Sequence, residues 1–187
     1  MPTATTYLSS SSSSSSGFSK VLPVIISAPC VSPKEIVCYA MLDEQSNQTL
    51  VDPSLVSFFD ITSDDINYSM ATANGNTVIS GQLIQGLHVR PASSPHSSSL
   101  PLPPAWTNQW LPDAAHESAT TDDVKNHAHL VPFNFPLKQY DVKTLLLVGR
   151  DGGNLLLLLV MELAHLLLII LPWVCLLYTS PSPRDRG

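Results

Sequence analysis

Ile66 to Ala73 alternates apolar with polar residues, Asn74-Gly75 follows directly, and Thr77–Ser80 returns beyond it. A period of two places every second side chain on one face, which is the pattern of a half-buried strand. Asn and Gly both tolerate the positive φ that a tight hairpin turn requires. The stretch is therefore predicted to be a β-hairpin. Gly81 is expected to break the second strand, with Leu83–Val89 forming one more alternating strand.

Other short apolar runs carry the same signature. Lys20–Ile26 is β-branched and apolar, and Pro23 would push it to a sheet edge because proline has no N–H to donate. Pro29 and Pro33 enclose a turn. Glu35–Leu42 makes a second strand, and Asp141–Asp151 is an apolar strand closing on Gly149, Arg150 and Asp151. Leu55, Val56, Phe58 and Phe59 form the apolar side of a turn or short helix that starts at Asp52–Ser54. Thr120–Leu130 could form a short helix, with Thr121 as its cap. The expected fold class is mainly β with one short helix.

The chain has 187 residues, about the length of one domain. Residues 1–19 include an unbroken serine run, Ser9–Ser16, that buries nothing apolar, so this segment is predicted to be disordered. Residues 20–153 carry the strand signals, interrupted by a Pro- and Ser-rich loop at 91–104. Residues 154–174 are almost wholly apolar, long enough to span a membrane, but Glu162 near the middle would cost a few kcal/mol in hydrocarbon unless protonated or paired. Residues 175–187 form a tail.

Only 9 residues are Lys or Arg against 15 Asp or Glu, so the basic footprint of a nucleic-acid binder is missing. The three cysteines, Cys30, Cys38 and Cys175, lack the spacing of a zinc site or a disulfide framework. His127 and His129 suit a solvated pair better than a metal site. No metal and no cofactor is expected. Trp106 and Trp110 are read as packing against the domain. No secretory signal opens the sequence, which points to an intracellular, cytoplasmic protein, or a membrane protein if 154–174 spans a bilayer.

One stretch carries chemistry. An apolar run from Val37 ends at a single carboxylate, Asp43, and polar turn-formers follow before Leu50 and Val51. That is how a strand delivers one acid to a loop tip. Taken together, Leu22–Val24, Tyr39–Ser46, the hairpin, Gly86–Val89 and Asp141–Asp151 resemble, in order and spacing, the aspartic peptidase region of Pao/BEL-type LTR retrotransposon polyproteins. More distantly they resemble retroviral aspartic proteases.

The resemblance implies a retropepsin-like domain, a small closed half-barrel of the pepsin type. It implies that Asp43 is catalytic, within an active-site loop of Glu44, Gln45, Ser46 and Asn47. The hairpin would be a flap, Thr72, Ala73, Asn74, Gly75, Asn76 and Thr77, closing over a peptide or polyprotein substrate. Leu145–Gly149 would floor the loop, with Leu147, Val148, Gly149 and Arg150 as its supporting strand and Arg150 directed back toward the loop. The family offers that arginine a carboxylate where this chain has Asn47.

The family mechanism needs two carboxylates sharing one proton, since like charges about 3 Å apart cannot both ionise. One such loop per chain implies a homodimer. The chain departs from the family where Asp43-Glu44-Gln45 replaces Asp-Thr/Ser-Gly. Gln45 is bulkier than the glycine a tight turn favours, and Glu44 cannot donate the hydroxyl bond that ties two such loops together. Ser46 could substitute. The residues leave three functions open: a degenerate retrotransposon-derived endopeptidase, an inactive peptide-binding or dimerisation module, and a single-pass membrane protein.

Cys175–Asp185 resembles a conceptual translation of a transposase-based sequencing adapter. The run from 154 onward also leaves the family pattern after Asp151. A frameshift or chimeric read would account for both, with a genuine spanning helix as the alternative.

Overall fold

The structure is a computed structural model that describes residues 3–5, 20–72, 75–93, 96–118, 120–126, 139–153 and 155. It is mainly β. In chain order the strands are β1 (Thr3–Thr5), β2 (Val21–Ala28), β3 (Ser32–Leu42), β4 (Leu50–Val51), β5 (Asp64–Thr72), β6 (Gly75–Ile84), β7 (His88–Pro91), β8 (Leu100–Pro101), β9 (Ala105–Thr107) and β10 (Thr144–Val148). Helix α1 spans Ser54–Phe59 and α2 spans Thr121–Asn126.

All ten strands join one sheet in the order β1-β5-β6-β9-β4-β10-β3-β2-β7-β8. Among the described residues, β1 and β8 are the two ends of this ladder. Its end strands are only three and two residues long.

Alternation explains the core. Leu22, Val24, Ile26 and Ala28 of β2 share one face with Cys38, Ala40 and Leu42 of β3 and with Leu146 and Val148 of β10. Leu55 and Phe59 of α1 close over them, together with Ile84, Val89 and Ala105. Each fully buried side chain of Leu, Ile or Phe size contributes roughly 1.5–3 kcal/mol. The intervening residues point the other way, where Val21 and Tyr39 pack with Ala114, Met41, Tyr140 and Val142. One core runs through β2, β3, β6 and β10.

Helix α1 begins where the Asp52 carboxylate accepts the Ser54 N–H at 2.8 Å. It ends where Asp60 turns left-handed at φ 57°, a conformation Asp tolerates better than most residues.

Several expectations need correction. Pro23 lies inside the sheet, because β2 pairs with both β3 and β7. Its carbonyl accepts the Ala92 N–H at 3.1 Å, so its missing donor falls where the β7 ladder has already stopped at Pro91. Gly81 does not break β6, which runs unbroken through it. A Cβ there would meet the Thr107 carbonyl at 2.7 Å, so glycine permits the close approach of β9.

Thr3–Thr5, within the segment expected to be disordered, forms a strand along β5. The serine run lies outside the described residues. So do residues 127–130 of the expected helix Thr120–Leu130, His127 and His129 among them. Trp106 packs on Tyr68 with ring centroids 4.8 Å apart, but Trp110 is 68% exposed rather than packed.

Leu155 is buried in the main core. Of the apolar run, Leu155 alone is among the described residues, and it packs with the strands of that core. The remainder, 156–174, and the tail 175–187 lie outside the described residues. Among the described residues no helix is long and apolar enough to cross a membrane.

Candidate functional site

Strand β3 carries Asp43 to its C-terminal end. The Leu42 N–H donates to the Lys20 carbonyl at 2.8 Å, and the Asp43 N–H donates to the Val148 carbonyl at 3.0 Å. The acid therefore leaves the sheet at a fixed point between β2 and β10. Asp43 is partly exposed. Its carboxylate accepts the Gln45 N–H at 2.9 Å, and its carbonyl accepts the Ser46 N–H at 3.2 Å. These two bonds fold Asp43–Ser46 into a tight turn without the expected glycine.

The side chains of the loop divide into two sets. Glu44 and Gln45 face solvent, and Glu44 forms an ion pair with Lys20. Ser46 is fully buried. Its hydroxyl donates to the Gln48 carbonyl at 2.7 Å within the same loop, so that donor is already engaged and does not tie one loop to another. Asn47 is exposed. The Gln48 amide Nε2 donates to the Pro104 carbonyl at 2.8 Å, joining the loop to the approach to β9.

Strand β10 lies between β3 and β4. It runs parallel to β3, with Leu147 opposite Met41 and Val148 opposite Leu42, and antiparallel to β4. At its end Gly149 sits so close to the loop that a Cβ would meet the Gln48 backbone at 2.6 Å.

Arg150 is exposed, and its backbone N–H donates to the Ser46 carbonyl at 2.9 Å. Asp151 reaches the loop through its side chain. Its carboxylate accepts both the N–H and the hydroxyl of buried Thr49, at 3.0 and 2.7 Å. The Thr49 hydroxyl in turn accepts the Gly149 N–H at 3.2 Å. In the sequence Asp151 only closes the Asp141–Asp151 segment, with no partner assigned, and Thr49 has no role. A hydroxyl residue and a carboxylate about a hundred positions apart carry no local signal.

The hairpin β5–β6 pairs Thr72 with Gly75, Ala71 with Asn76 and Met70 with Thr77. Gly75 has φ 120°, which only glycine adopts readily. Residues 73 and 74 lie outside the described residues. Asn76, Thr77 and Val78 are exposed, Val78 by 65%.

No protein family, no curated protein and no solved structure matches this chain. A cleft of about 530 Å³ lies beside the base of the hairpin, lined by Asn67, Ser80, Gln82, Thr107 and Gln109 among others. A second cleft, of about 740 Å³, lies on the opposite side of β3 from the main core, against Tyr39, Asp113, His116 and Tyr140. Asp43 lines neither cleft. A single subunit offers Asp43 a loop and a floor.

Proposed function

We propose that the domain is a retropepsin-like aspartic endopeptidase of retrotransposon type, with a degenerate active-site loop, that works as a twofold homodimer. In that assembly each chain contributes one Asp43. The two carboxylates share a proton: the ionised one takes a proton from water, which attacks the peptide carbonyl, and the protonated one donates to the carbonyl oxygen. Breakdown returns a proton to the leaving amine. The pair then titrates as a unit.

The observation that carries this reading is the seating of Asp43. A single partly exposed carboxylate stands at the end of a central strand, with its own N–H held by the Val148 carbonyl of the strand that floors the loop. The Lys20–Glu44 ion pair offsets the extra negative charge that Glu44 would bring near a carboxylate dyad.

A second reading is a module that dimerises or binds peptide without turnover. It is favoured by the engagement of the Ser46 hydroxyl inside its own loop, which leaves no loop-to-loop hydroxyl tie. Membrane attachment through residues 154–174 is compatible with either.

Incubating the purified protein with a peptide library at acidic pH separates the readings. Pepstatin-sensitive cleavage that disappears in Asp43→Asn supports the peptidase. Binding without cleavage supports the module, and neither binding nor cleavage removes both.

A further inference from the structure

Strand β1 lies parallel to β5, with Thr3 beside Ser69, Ala4 beside Met70 and Thr5 beside Ala71. The other side of β5 is fully engaged, since all nine of its residues pair with β6. β1 is thus the outermost strand, and it covers three of those nine positions. Among the described residues, Asp64–Tyr68 have no strand on that side. A sheet edge of this kind presents unpaired N–H and C=O groups, which recruit any extended chain that can match them.

The cover is weak by construction. Three residues supply only a few ladder bonds, each worth about 1 kcal/mol net. Residues 6–19, which include the eight-serine run, join β1 to the rest of the chain. Because β1 belongs to the same chain as the edge it covers, its pairing is intramolecular, an advantage that needs no further contact. A longer extended peptide could pair with more of the edge than β1 does.

We propose that the β5 edge at Ser69–Ala71 is an acceptor site for extended, uncharged peptide segments, and that Thr3–Thr5 occupies it in cis as a displaceable guard. The chemistry of the partner follows from both strands. Ile66–Ala71 carry no charge, and neither do Thr3–Thr5, so recognition rests on main-chain bonds rather than on ion pairs. Asp64 and Asp65 at the start of β5 disfavour an acidic segment that extends along the edge. The site goes beyond the peptidase reading, because it depends on the sheet and not on Asp43.

The test uses the full chain and a fluorescein-labelled peptide of residues 1–8. In the variant Ala4→Pro, proline weakens the cis strand by removing a donor and fixing φ. The labelled peptide should bind this variant at least about tenfold more tightly than the wild type, a difference of about 1.4 kcal/mol. Hydrogen exchange should show the Ser69–Ala71 amides faster in Ala4→Pro and slowed again by the peptide. The chain carrying Asp43→Asn should bind as the wild type does, which separates failure of this site from failure of the peptidase reading. Equal affinity for wild type and Ala4→Pro, binding to neither, or protection elsewhere in the chain would overturn the proposal.

Discussion

The carboxylate of Asp151 accepts two bonds from Thr49, one from its N–H at 3.0 Å and one from its hydroxyl at 2.7 Å, across 102 positions of sequence. Thr49 is fully buried, so both donors lack water as an alternative partner. Asp151→Ala should therefore destabilise the fold by about 2–3 kcal/mol, since two buried donors lose a charged acceptor. Asp151→Asn keeps one acceptor oxygen and should cost about half as much. Denaturant unfolding of the two variants, with exchange of the Thr49 amide as a local probe, checks the order. Equal stability of Asp151→Ala and wild type would remove Asp151 from the support of the loop.

Two glycines should respond in opposite ways to the same change. Gly81→Ala drives a methyl to within 2.7 Å of the Thr107 carbonyl and 3.3 Å of the Tyr68 ring. Backbone of β9 must then shift, at about 1–3 kcal/mol. Gly153 has helical dihedrals, and an added Cβ there meets nothing within 4 Å. Gly153→Ala should stabilise the protein by about 0.4–1 kcal/mol through a less disordered unfolded chain. Thermal melts of both variants test the contrast. A destabilised Gly153→Ala or a neutral Gly81→Ala would contradict it.

Burial pushes the Tyr68 phenol from its ordinary value of 10.0 up to about 12. Its hydroxyl donates to the Thr107 carbonyl at 2.9 Å, and ionisation would destroy that bond. A group whose pKa is raised by folding contributes stability that is complete below its unfolded value and is lost as pH rises through its folded value. Stability should therefore fall between pH 10.0 and about 12. Tyr68→Phe should cost about 1 kcal/mol near neutrality and flatten that alkaline slope. Phenolate absorbance recorded alongside unfolding checks it; an unchanged slope in Tyr68→Phe would assign the loss to other groups.

Cys30 is exposed in the β2–β3 turn, while Cys38 is fully buried on the core face of β3. Burial pushes the Cys38 thiol up to about 12, so almost none of it is thiolate at neutral pH. Iodoacetamide should modify Cys30 in the native protein and reach Cys38 only after unfolding. Peptide mapping by mass spectrometry distinguishes the two. Native labelling of Cys38 at a rate like that of Cys30 would show that the core opens there.

Period-two alternation in Ile66–Ala73 and the apolar run before Asp43 were enough to specify strands and to place one acid at a strand end. A strand needs only its own residues to declare which face is apolar, so β2, β3, β5, β10 and the α1 apolar side were all legible in order. Neighbours in a sheet are a different matter. Pro23 reads locally as an edge residue, yet it sits inside the sheet because β7 stops where its donor is missing. Gly81 reads as a break, yet β6 runs through it and a Cβ there would meet the Thr107 carbonyl of β9. The bond from Asp151 to Thr49, the burial of Leu155 and the placement of Thr3–Thr5 on β5 likewise arise from contacts between distant segments. Local sequence fixes dihedral preference and the apolar face, whereas partner, register and close approach depend on which distant backbone the folded chain brings alongside.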